Sequence, residues 1–309
     1  MKSVIERLTA DKKRPAVHTY NATLNSFTKF SGGQGTEEML VTDVFTAGKL
    51  KEYEAWLRSR NASWNTVSTY MRVLKAVYNR LVEAKRLTYD ARLFDSVYTK
   101  VEAQSKRSLT EEQMNTLLRT DFEKLPEDVQ NVLAYFLLMF LFRGMPFIDM
   151  AYLRKQDLKE HCITYCRHKT GKKMVVRIPH EATALFEKCR NKKTDSGYLF
   201  PILDETTENE KKLYENYRQA LRTFNRKLAK MAALLLPGTN ISSYTARHTW
   251  ATLAFYSGIP IGIISKALGH SSIKVTETYL KPFENEKVDA ANDELIMSVV
   301  KRSKEKIVA

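Results

Sequence analysis

Apolar side chains recur at helical spacing through the first third of the chain. Intervals of three and four residues between them predict helices around residues 20–27, 50–57 and 65–86. A Ser-Gly-Gly-Gln-Gly stretch at residues 31–35 interrupts the pattern after the first of these helices. The chain therefore begins with a helical region whose helices are each apolar along one face.

The predicted helix at 65–86 has two contrasting faces. Its inward face is apolar and comprises Val67, Tyr70, Leu74, Val77 and Leu81. Its opposite face is polar, at spacing i, i+4, i+7 and i+11, and comprises Ser68, Arg72, Lys75 and Asn79. A polar stripe of this kind suits contact with the phosphates and groove edges of DNA, and it equally suits ordinary exposure to solvent.

Beyond residue 105 the pattern mixes helices with a β-hairpin. Thr110-Glu-Glu-Gln113 matches a capping box that opens a helix. The apolar run Val132–Phe142 predicts a buried helix, and Val, Ile and Tyr residues around a Thr-Gly turn predict a hairpin over Ile163–Ile178. Further helices are expected near 146–153, 181–190, 211–234, 243–248, 261–268, 272–279 and 286–304, the fourth of them capped by Ser242 or Ser243. The fold class is mostly α with a small β-hairpin, an α+β arrangement.

A polar segment without apolar periodicity, Val101–Ser108, marks the boundary between the two regions. We therefore expect two domains, a helical one at 1–104 and a larger α+β one at 105–309, which is a usual division for a chain of this length. Lys106 and Arg107 lie in the connecting segment and are candidate DNA contacts.

Charge adds a class of partner to this architecture. The 309 residues carry 50 Lys and Arg against 35 Asp and Glu, a net charge of +15, with +6 in residues 1–105 and +9 in residues 106–309. Both regions are thus basic, which favours a polyanion such as nucleic acid or an anionic membrane surface. A membrane-surface binder would need a basic amphipathic helix with a broad apolar face, and no such helix is evident in the sequence.

The sequence also indicates a cellular compartment. The longest apolar run, Val132–Phe142, is much shorter than the roughly 20 residues that a membrane span needs. The first residues contain no apolar core of a secretion signal. Three cysteines, Cys162, Cys166 and Cys189, are too few for a disulfide framework. We therefore expect a protein of the reducing cytoplasm.

Residues suited to phosphoryl transfer follow one another near the C-terminus. Arg247, His270 and Tyr279 lie on successive short predicted helices, and Lys169 lies upstream beside the predicted hairpin turn. Arginine binds phosphate oxygens through a planar fork, and a tyrosine hydroxyl can act as a nucleophile. No cluster of carboxylates accompanies these residues in the sequence, so we expect phosphoryl transfer without a metal or any other cofactor.

These residues resemble the tyrosine recombinases, the phage-integrase type of site-specific recombinase. The segment ARHTWATLAFYSGIPIGIISKALGHSSIKVTETY is similar to the family's succession of Arg-His, Leu-Gly-His and Thr-x-x-Tyr. His270 precedes Tyr279 by nine residues, which is the usual family spacing. The resemblance covers nearly the whole chain, because residues 17–100 are similar to the family's helical core-binding domain.

The resemblance implies a role for each of these residues. Tyr279 would attack the scissile phosphate and form a 3′-phosphotyrosine, while Arg247 and His270 would bind the phosphate. Lys169 would protonate the leaving 5′ oxygen, and Lys172 or Lys173 would do so if the hairpin register differs.

The first departure from the family pattern concerns an arginine. Pro146 stands where the family's Gly-x-Arg-x-x-Glu has its first arginine, three residues before Asp149. Arg143 precedes Pro146 by one helical turn, and we expect its side chain to supply the missing cation. The alternative is that Arg143 pairs with Asp149 as a structural bridge.

The second departure is Tyr244, which replaces the usual histidine three residues before Arg247. A phenol can donate a hydrogen bond to a phosphate, but it is a poor proton acceptor at neutral pH. Any general base for Tyr279 would therefore be another group or water.

The resemblance implies a recombinase that clamps double-stranded DNA between its two domains. The assembly would be a homo-tetramer on two DNA sites, associated with the nucleoid, and the outcome would be integration, excision or inversion. Two alternatives stay open. A type IB topoisomerase shares the chemistry, and a catalytically silent DNA-binding protein on the same fold would account for Pro146 and Tyr244.

Overall fold

The computed structural model of the chain describes residues 1–11, 13–32, 40–100, 108–204, 209–280, 288–289, 291–297 and 300. Within them the fold is mostly helical with a small antiparallel sheet, so the predicted fold class is confirmed. The chain divides into two compact units, Met1–Gln104 and Ser105–Ala309. None of the described helices is both long enough and apolar enough to cross a membrane.

The first unit is built from helices that begin where the sequence offers a cap. Its described elements are α1 (Lys2–Ala10), α2 (Arg14–Phe30), α3 (Val41–Val44), α4 (Ala47–Ser59) and α5 (Trp64–Glu83). The hydroxyls of Thr46 and Ser63 accept hydrogen bonds from backbone N–H groups in the first turns of α4 and α5. The three helices predicted here from apolar spacing are confirmed. Their apolar faces meet in one core that includes Phe27, Leu50, Tyr53, Leu57, Val67, Met71, Leu74 and Tyr78.

The second unit has a helical core with a sheet at its side. Its described elements are α6 (Glu111–Leu118), α7 (Glu127–Leu141), α8 (Phe147–Tyr152), β1 (Leu158–Lys159), β2 (Cys162–Cys166), β3 (Lys173–Arg177), α9 (His180–Cys189), α10 (Glu210–Leu235), α11 (Thr245–Tyr256), α12 (Ile261–Leu268) and α13 (Ile273–Glu277). The capping box of Thr110 and Gln113 forms at the start of α6. Helix α7 carries the apolar run and packs against α9, α10 and α11, which confirms the prediction of a buried helix.

The predicted hairpin is present as β2 and β3, and β1 adds a third strand on the other side of β2. The register pairs Cys162 with Arg177 and Cys166 with Lys173. Beyond that last pair, the backbone N–H of Arg167 donates to the carbonyl of Lys172 at 2.8 Å and closes the turn.

Two predictions about the C-terminal helices are wrong. Neither Ser242 nor Ser243 caps α11, because the residue before that helix is Tyr244 and no side chain caps it. The backbone N–H of Ser242 instead donates to the Thr245 hydroxyl at 3.0 Å. Helix α13 ends at Glu277, so the segment that follows, which contains Tyr279, is not helical.

A small apolar cluster fastens α11, α12 and the segment after α13 to one another. It consists of Ala251, Ala254, Ile264, Leu268 and Leu280. Leu280 is the immediate neighbour of Tyr279, and Leu268 lies two residues before His270. Burial of this cluster therefore sets where those two side chains can lie.

Candidate active site

Arg247 is the buried centre of the site, with only 2% of its surface exposed. Its Nη1 donates to the carbonyl of Gly144 at 2.9 Å, and its Nη2 donates to the carbonyl of Leu268. Gly144 has φ +67°, and a Cβ placed on it would lie 3.0 Å from the Arg247 Cα. A glycine is therefore needed here both for the left-handed backbone and for the close approach.

Both ring nitrogens of His270 make hydrogen bonds. Arg247 Nη2 lies 3.0 Å from His270 Nε2, and the Thr276 hydroxyl lies 2.9 Å from Nδ1. Because arginine can only donate, Nε2 accepts and the ring proton resides on Nδ1, which donates to Thr276. Burial, followed by the positive charge of Arg247, lowers the pKa of His270 to about 3. The imidazole is therefore neutral at physiological pH.

Tyr279, the candidate nucleophile, lies against these two side chains. The guanidinium carbon of Arg247 lies 5.6 Å from the centroid of the Tyr279 ring, and the His270 ring centroid lies at 4.8 Å. The ring of His248 stacks on Tyr279 at 4.7 Å. The sequence predicted no role for His248, which adjoins Arg247 on α11. The structure nevertheless places it beside the candidate nucleophile.

Tyr244 also reaches this group. Its hydroxyl lies 3.4 Å from the hydroxyl of Tyr279, although its ring is partly exposed. Desolvation of the Tyr244 hydroxyl, followed by the hydrogen bond with Tyr279, raises the pKa of Tyr244 to about 12. The phenol is therefore protonated at neutral pH and acts as a hydrogen-bond partner rather than as a base.

Arg143 does not lie where the sequence predicted. It follows the end of α7 with φ +59°, so the expectation that Arg143 and Pro146 share a helical face is wrong. Its Nη1 lies 3.4 Å from the carbonyl of Val175 on β3, and its side chain lines a basic pocket with Lys172, Lys173 and Lys266. The alternative of an Arg143–Asp149 bridge is also wrong, because Asp149 pairs with a different arginine.

That arginine is Arg167, which sequence reasoning missed. Its Nε lies 3.6 Å from Asp149 Oδ2, and both side chains are almost fully buried. The other carboxylate oxygen of Asp149 accepts the backbone N–H of His168 at 2.8 Å. Arg167 Nη1 donates to the carbonyl of Gly269 at 3.3 Å, directly before His270.

The three candidate lysines all lie on the hairpin and are exposed. Lys172 approaches the centre most directly, since its Nζ donates to the carbonyl of His270 at 3.2 Å. The charges of Lys169 and Lys172 both contribute to lowering the pKa of His270, after burial and the two arginines. Lys173 faces the basic pocket beside Arg143.

The polar stripe on α5 is only partly as predicted. Arg72, Lys75 and Asn79 are exposed, and Lys75 Nζ lies 5.6 Å from the ring centroid of Phe94. Ser68 is 2% exposed, so its prediction as a DNA contact is wrong. At 100° per residue position 68 lies within the stripe, but its short side chain is covered, whereas the longer side chains of Arg72 and Lys75 reach solvent. Lys106 and Arg107 lie outside the described residues.

Comparison with protein families identifies the architecture around this site. Residues 107–286 match the family described as "Phage integrase family", and residues 1–92 match the family described as "Phage integrase SAM-like domain". The first match spans more than half of the chain and includes all of the side chains around Arg247. The chain belongs to the phage integrase family.

Proteins of similar sequence are named as tyrosine recombinases. The recombinase is 26% identical to tyrosine recombinase XerA of Pyrococcus furiosus over 243 residues, which are 76% of each chain. It is 29% identical to a tyrosine recombinase of Pseudothermotoga lettingae over 183 residues, 57% of this chain and 59% of that one. The protein is therefore a tyrosine-type site-specific recombinase, as the resemblance implied.

A solved structure shares the fold of both units. The Tn1549 transposon integrase, in complex with a circular intermediate DNA, matches with a TM-score of 0.62 at 17% identity, over 94% of this chain and 99% of that chain. At this identity the similarity establishes the fold alone.

Proposed function

We propose that the protein recombines duplex DNA at specific sites through a covalent 3′-phosphotyrosine. The observation that carries this proposal is the position of the Tyr279 ring, 5.6 Å from the guanidinium carbon of Arg247 and 4.8 Å from the His270 ring. A hydroxyl beside a buried guanidinium is suited to attack a phosphodiester, because arginine stabilises the charge that develops on the phosphate oxygens.

Each bond change in the cleavage step can be assigned to an atom. Tyr279 Oη forms a bond to phosphorus while the bond between phosphorus and the 5′ oxygen breaks, and Arg247 stabilises the non-bridging oxygens. Lys169 gives a proton to the departing 5′ oxygen, with Lys172 as the alternative donor because it already contacts the His270 carbonyl. The proton of Tyr279 passes to water. Religation reverses these steps, and the ester keeps the bond energy, so no nucleotide is consumed.

His270 changes its hydrogen-bonding role in this scheme. In the free protein its Nε2 accepts from Arg247. A phosphate bound to Arg247 takes over that donor and places negative charge beside the imidazole. Nearby negative charge raises the pKa of a histidine, which favours the protonated ring that donates to a phosphate oxygen.

Contact with the DNA backbone is assigned to exposed basic and polar side chains in both units. They are Arg72, Lys75 and Asn79 on α5 and Lys172 and Lys173 on the hairpin. Lys106 and Arg107, which lie outside the described residues, are assigned the same role from the sequence alone. Such side chains bind phosphates without reading sequence. The fold is also that of lambda integrase, whose structure bound to a core site matches with a TM-score of 0.64 at 14% identity, over 90% of this chain and 94% of that one.

The proposed assembly is a homo-tetramer on two DNA sites. The helical residues at 288–289, 291–297 and 300 are exposed and carry the apolar side chains Val288, Leu295, Ile296, Met297 and Val300. Apolar side chains grouped in this way favour association between copies of the chain.

The test of this function is covalent capture of DNA. A duplex selected for binding from a randomised pool is nicked at successive positions, so that the short strand diffuses away after cleavage. The wild-type protein is expected to give a protein–DNA band that survives SDS, and Tyr279→Phe is expected to give none while binding the same duplex.

Three other results identify the alternatives. Tight binding without any wild-type adduct indicates a silent DNA-binding protein. Relaxation of supercoiled plasmid that lacks the selected site indicates a topoisomerase. An adduct that persists in Tyr279→Phe excludes Tyr279 as the nucleophile.

A further inference from the structure

We propose that Arg167, the residue that follows β2, is the second phosphate-binding arginine of this active site, and that it takes the place of the arginine that the family motif has at the position of Pro146. The inference rests on the proposed function, since the phosphate in question is the scissile one. It assigns a catalytic role to a residue that lies outside the family's usual motif.

The two arginines converge on one turn of the backbone. Arg247 Nη2 donates to the carbonyl of Leu268, and Arg167 Nη1 donates to the next carbonyl, that of Gly269, at 3.3 Å. These two carbonyls end α12, and His270 follows them immediately. The two guanidinium groups are therefore held at successive carbonyls directly before His270, close enough for the charge of Arg167 to act on Arg247.

The surroundings of Arg167 are shaped to hold it there. Asp149, which stands in the acidic position of the family motif, lies 3.6 Å from Arg167 Nε. A Cβ on Gly269 would lie 3.3 Å from Arg167 Cδ and 2.7 Å from the sulfur of Met174. Glycine at 269 therefore leaves room for the arginine side chain, and Asp149 orients it.

The buried charges in this pocket are not balanced. Within the part of the chain that the structure describes, the two guanidinium groups of Arg167 and Arg247 stand against the one buried carboxylate of this pocket, that of Asp149, whose pKa burial raises. Burial lowers the pKa of Arg247, and the charge of Arg167 lowers it further. Buried like charges are costly unless an anion accompanies them. A phosphodiester with one negative charge between the two forks would supply that anion.

Donors remain available for such an anion. Among the described residues, the guanidinium of Arg167 makes one hydrogen bond, from Nη1, and the Nε of Arg247 makes none. Arg143, the cation expected from sequence, instead lies against Val175 on β3. Arg143 is therefore a matched control: it is an arginine near the hairpin that the proposal leaves outside the phosphate site.

The first experiment measures anion binding without DNA. Thermal unfolding of the wild-type protein is followed with increasing inorganic phosphate, at constant ionic strength set with chloride. We expect phosphate to raise the midpoint of wild type and of Arg143→Gln with similar apparent affinity. Arg167→Gln is expected to bind phosphate about tenfold to a hundredfold more weakly, because it loses a charge-assisted fork. Wild-type phosphate affinity in Arg167→Gln, or no phosphate effect on wild type, overturns the proposal.

The second experiment uses the nicked duplex and a variant that keeps the charge. Arg167→Lys retains an ammonium for Asp149 and loses the planar fork. It is expected to bind the duplex within about threefold of wild type and to form the covalent adduct at least about tenfold more slowly. Adduct formation at the wild-type rate in a folded Arg167→Lys protein contradicts the inference and leaves the proposed function intact. If wild type itself forms no adduct, the proposed function fails, and the phosphate titration still decides whether Arg167 is an anion ligand.

Discussion

At the scale of single residues, the proton on His270 is the detail that most constrains the chemistry. Arg247 donates to Nε2, so the neutral ring carries its proton on Nδ1 toward Thr276. Burial and the neighbouring positive charges lower the pKa of His270 to about 3, whereas the pKa of this group in an unfolded chain is about 6.5. The free enzyme therefore has to be acidified strongly before this imidazole becomes charged.

This difference predicts how stability depends on pH. Between the folded and unfolded pKa values the unfolded state binds the extra proton, so the contribution of His270 is fully present above the unfolded pKa and is lost as the pH falls toward about 3. Between neutral pH and about pH 4, the free energy of unfolding of the His270→Gln variant is expected to fall less than that of wild type. Urea unfolding across that range measures it.

The exposed His180 supplies the control. His180→Gln should keep the wild-type pH dependence. If the two variants lose stability in parallel as the pH falls, His270 is not the group responsible.

At the scale of elements, the loop between α7 and α8 provides the backbone carbonyl that holds Arg247 at the centre of the site. Arg143 and Gly144 both have positive φ, +59° and +67°, and the Gly144 carbonyl accepts from Arg247. The backbone reverses within two residues and presents that carbonyl to the guanidinium. This reversal also turns the Arg143 side chain toward β3.

Two glycines with the same φ of +67° allow this loop to be tested. Gly144→Ala is expected to lose about 1–2 kcal/mol of stability from the left-handed backbone and more from contact with Arg247, whose Cα lies 3.0 Å from the new methyl group. Gly171→Ala has open space around its Cβ and should lose only the backbone part. Equal losses in urea unfolding would show that the contact with Arg247 is relieved without cost.

The sequence predicts regular elements much better than it predicts this loop. Helical spacing identified α2, α4, α5 and α7 because their apolar faces are long. Arg167 could also have been found, since Ile163, Tyr165 and Arg167 alternate along β2 and its extension, and all three are buried. The position of Arg143 could not, because a residue with positive φ after a helix breaks the i, i+3 relation on which the prediction depended.

At the scale of the whole molecule, the charge of +15 has two different uses. Two of the basic side chains, Arg167 and Arg247, are buried and hold fixed positions. Others, such as Arg72 and Lys75, are exposed on α5 and are free to follow a phosphate backbone. Exposed cations add affinity that depends on salt, whereas the buried pair should add little to overall binding.

Salt titration separates these classes. Each phosphate contact adds about 0.9 to the slope of log affinity against log salt concentration on duplex DNA. Arg72→Ala is expected to reduce that slope by roughly this amount, because its side chain is exposed and charged. Ser68→Ala, on the same helix but buried, should leave the slope unchanged. Fluorescence anisotropy over a range of KCl concentrations measures both, and an unchanged slope in Arg72→Ala would remove this side chain from the interface.

The pairing of Asp149 with Arg167 bears on how such proteins are recognised in genomes. Asp149 lies on α8, and the guanidinium of Arg167 reaches it from the residue after β2. The arginine beside Asp149 can therefore come from a different position in the sequence than the one in the family motif. A search pattern that requires arginine at the place of Pro146 discards this chain, whereas a pattern written for the acid and for an arginine beside the hairpin turn retains it.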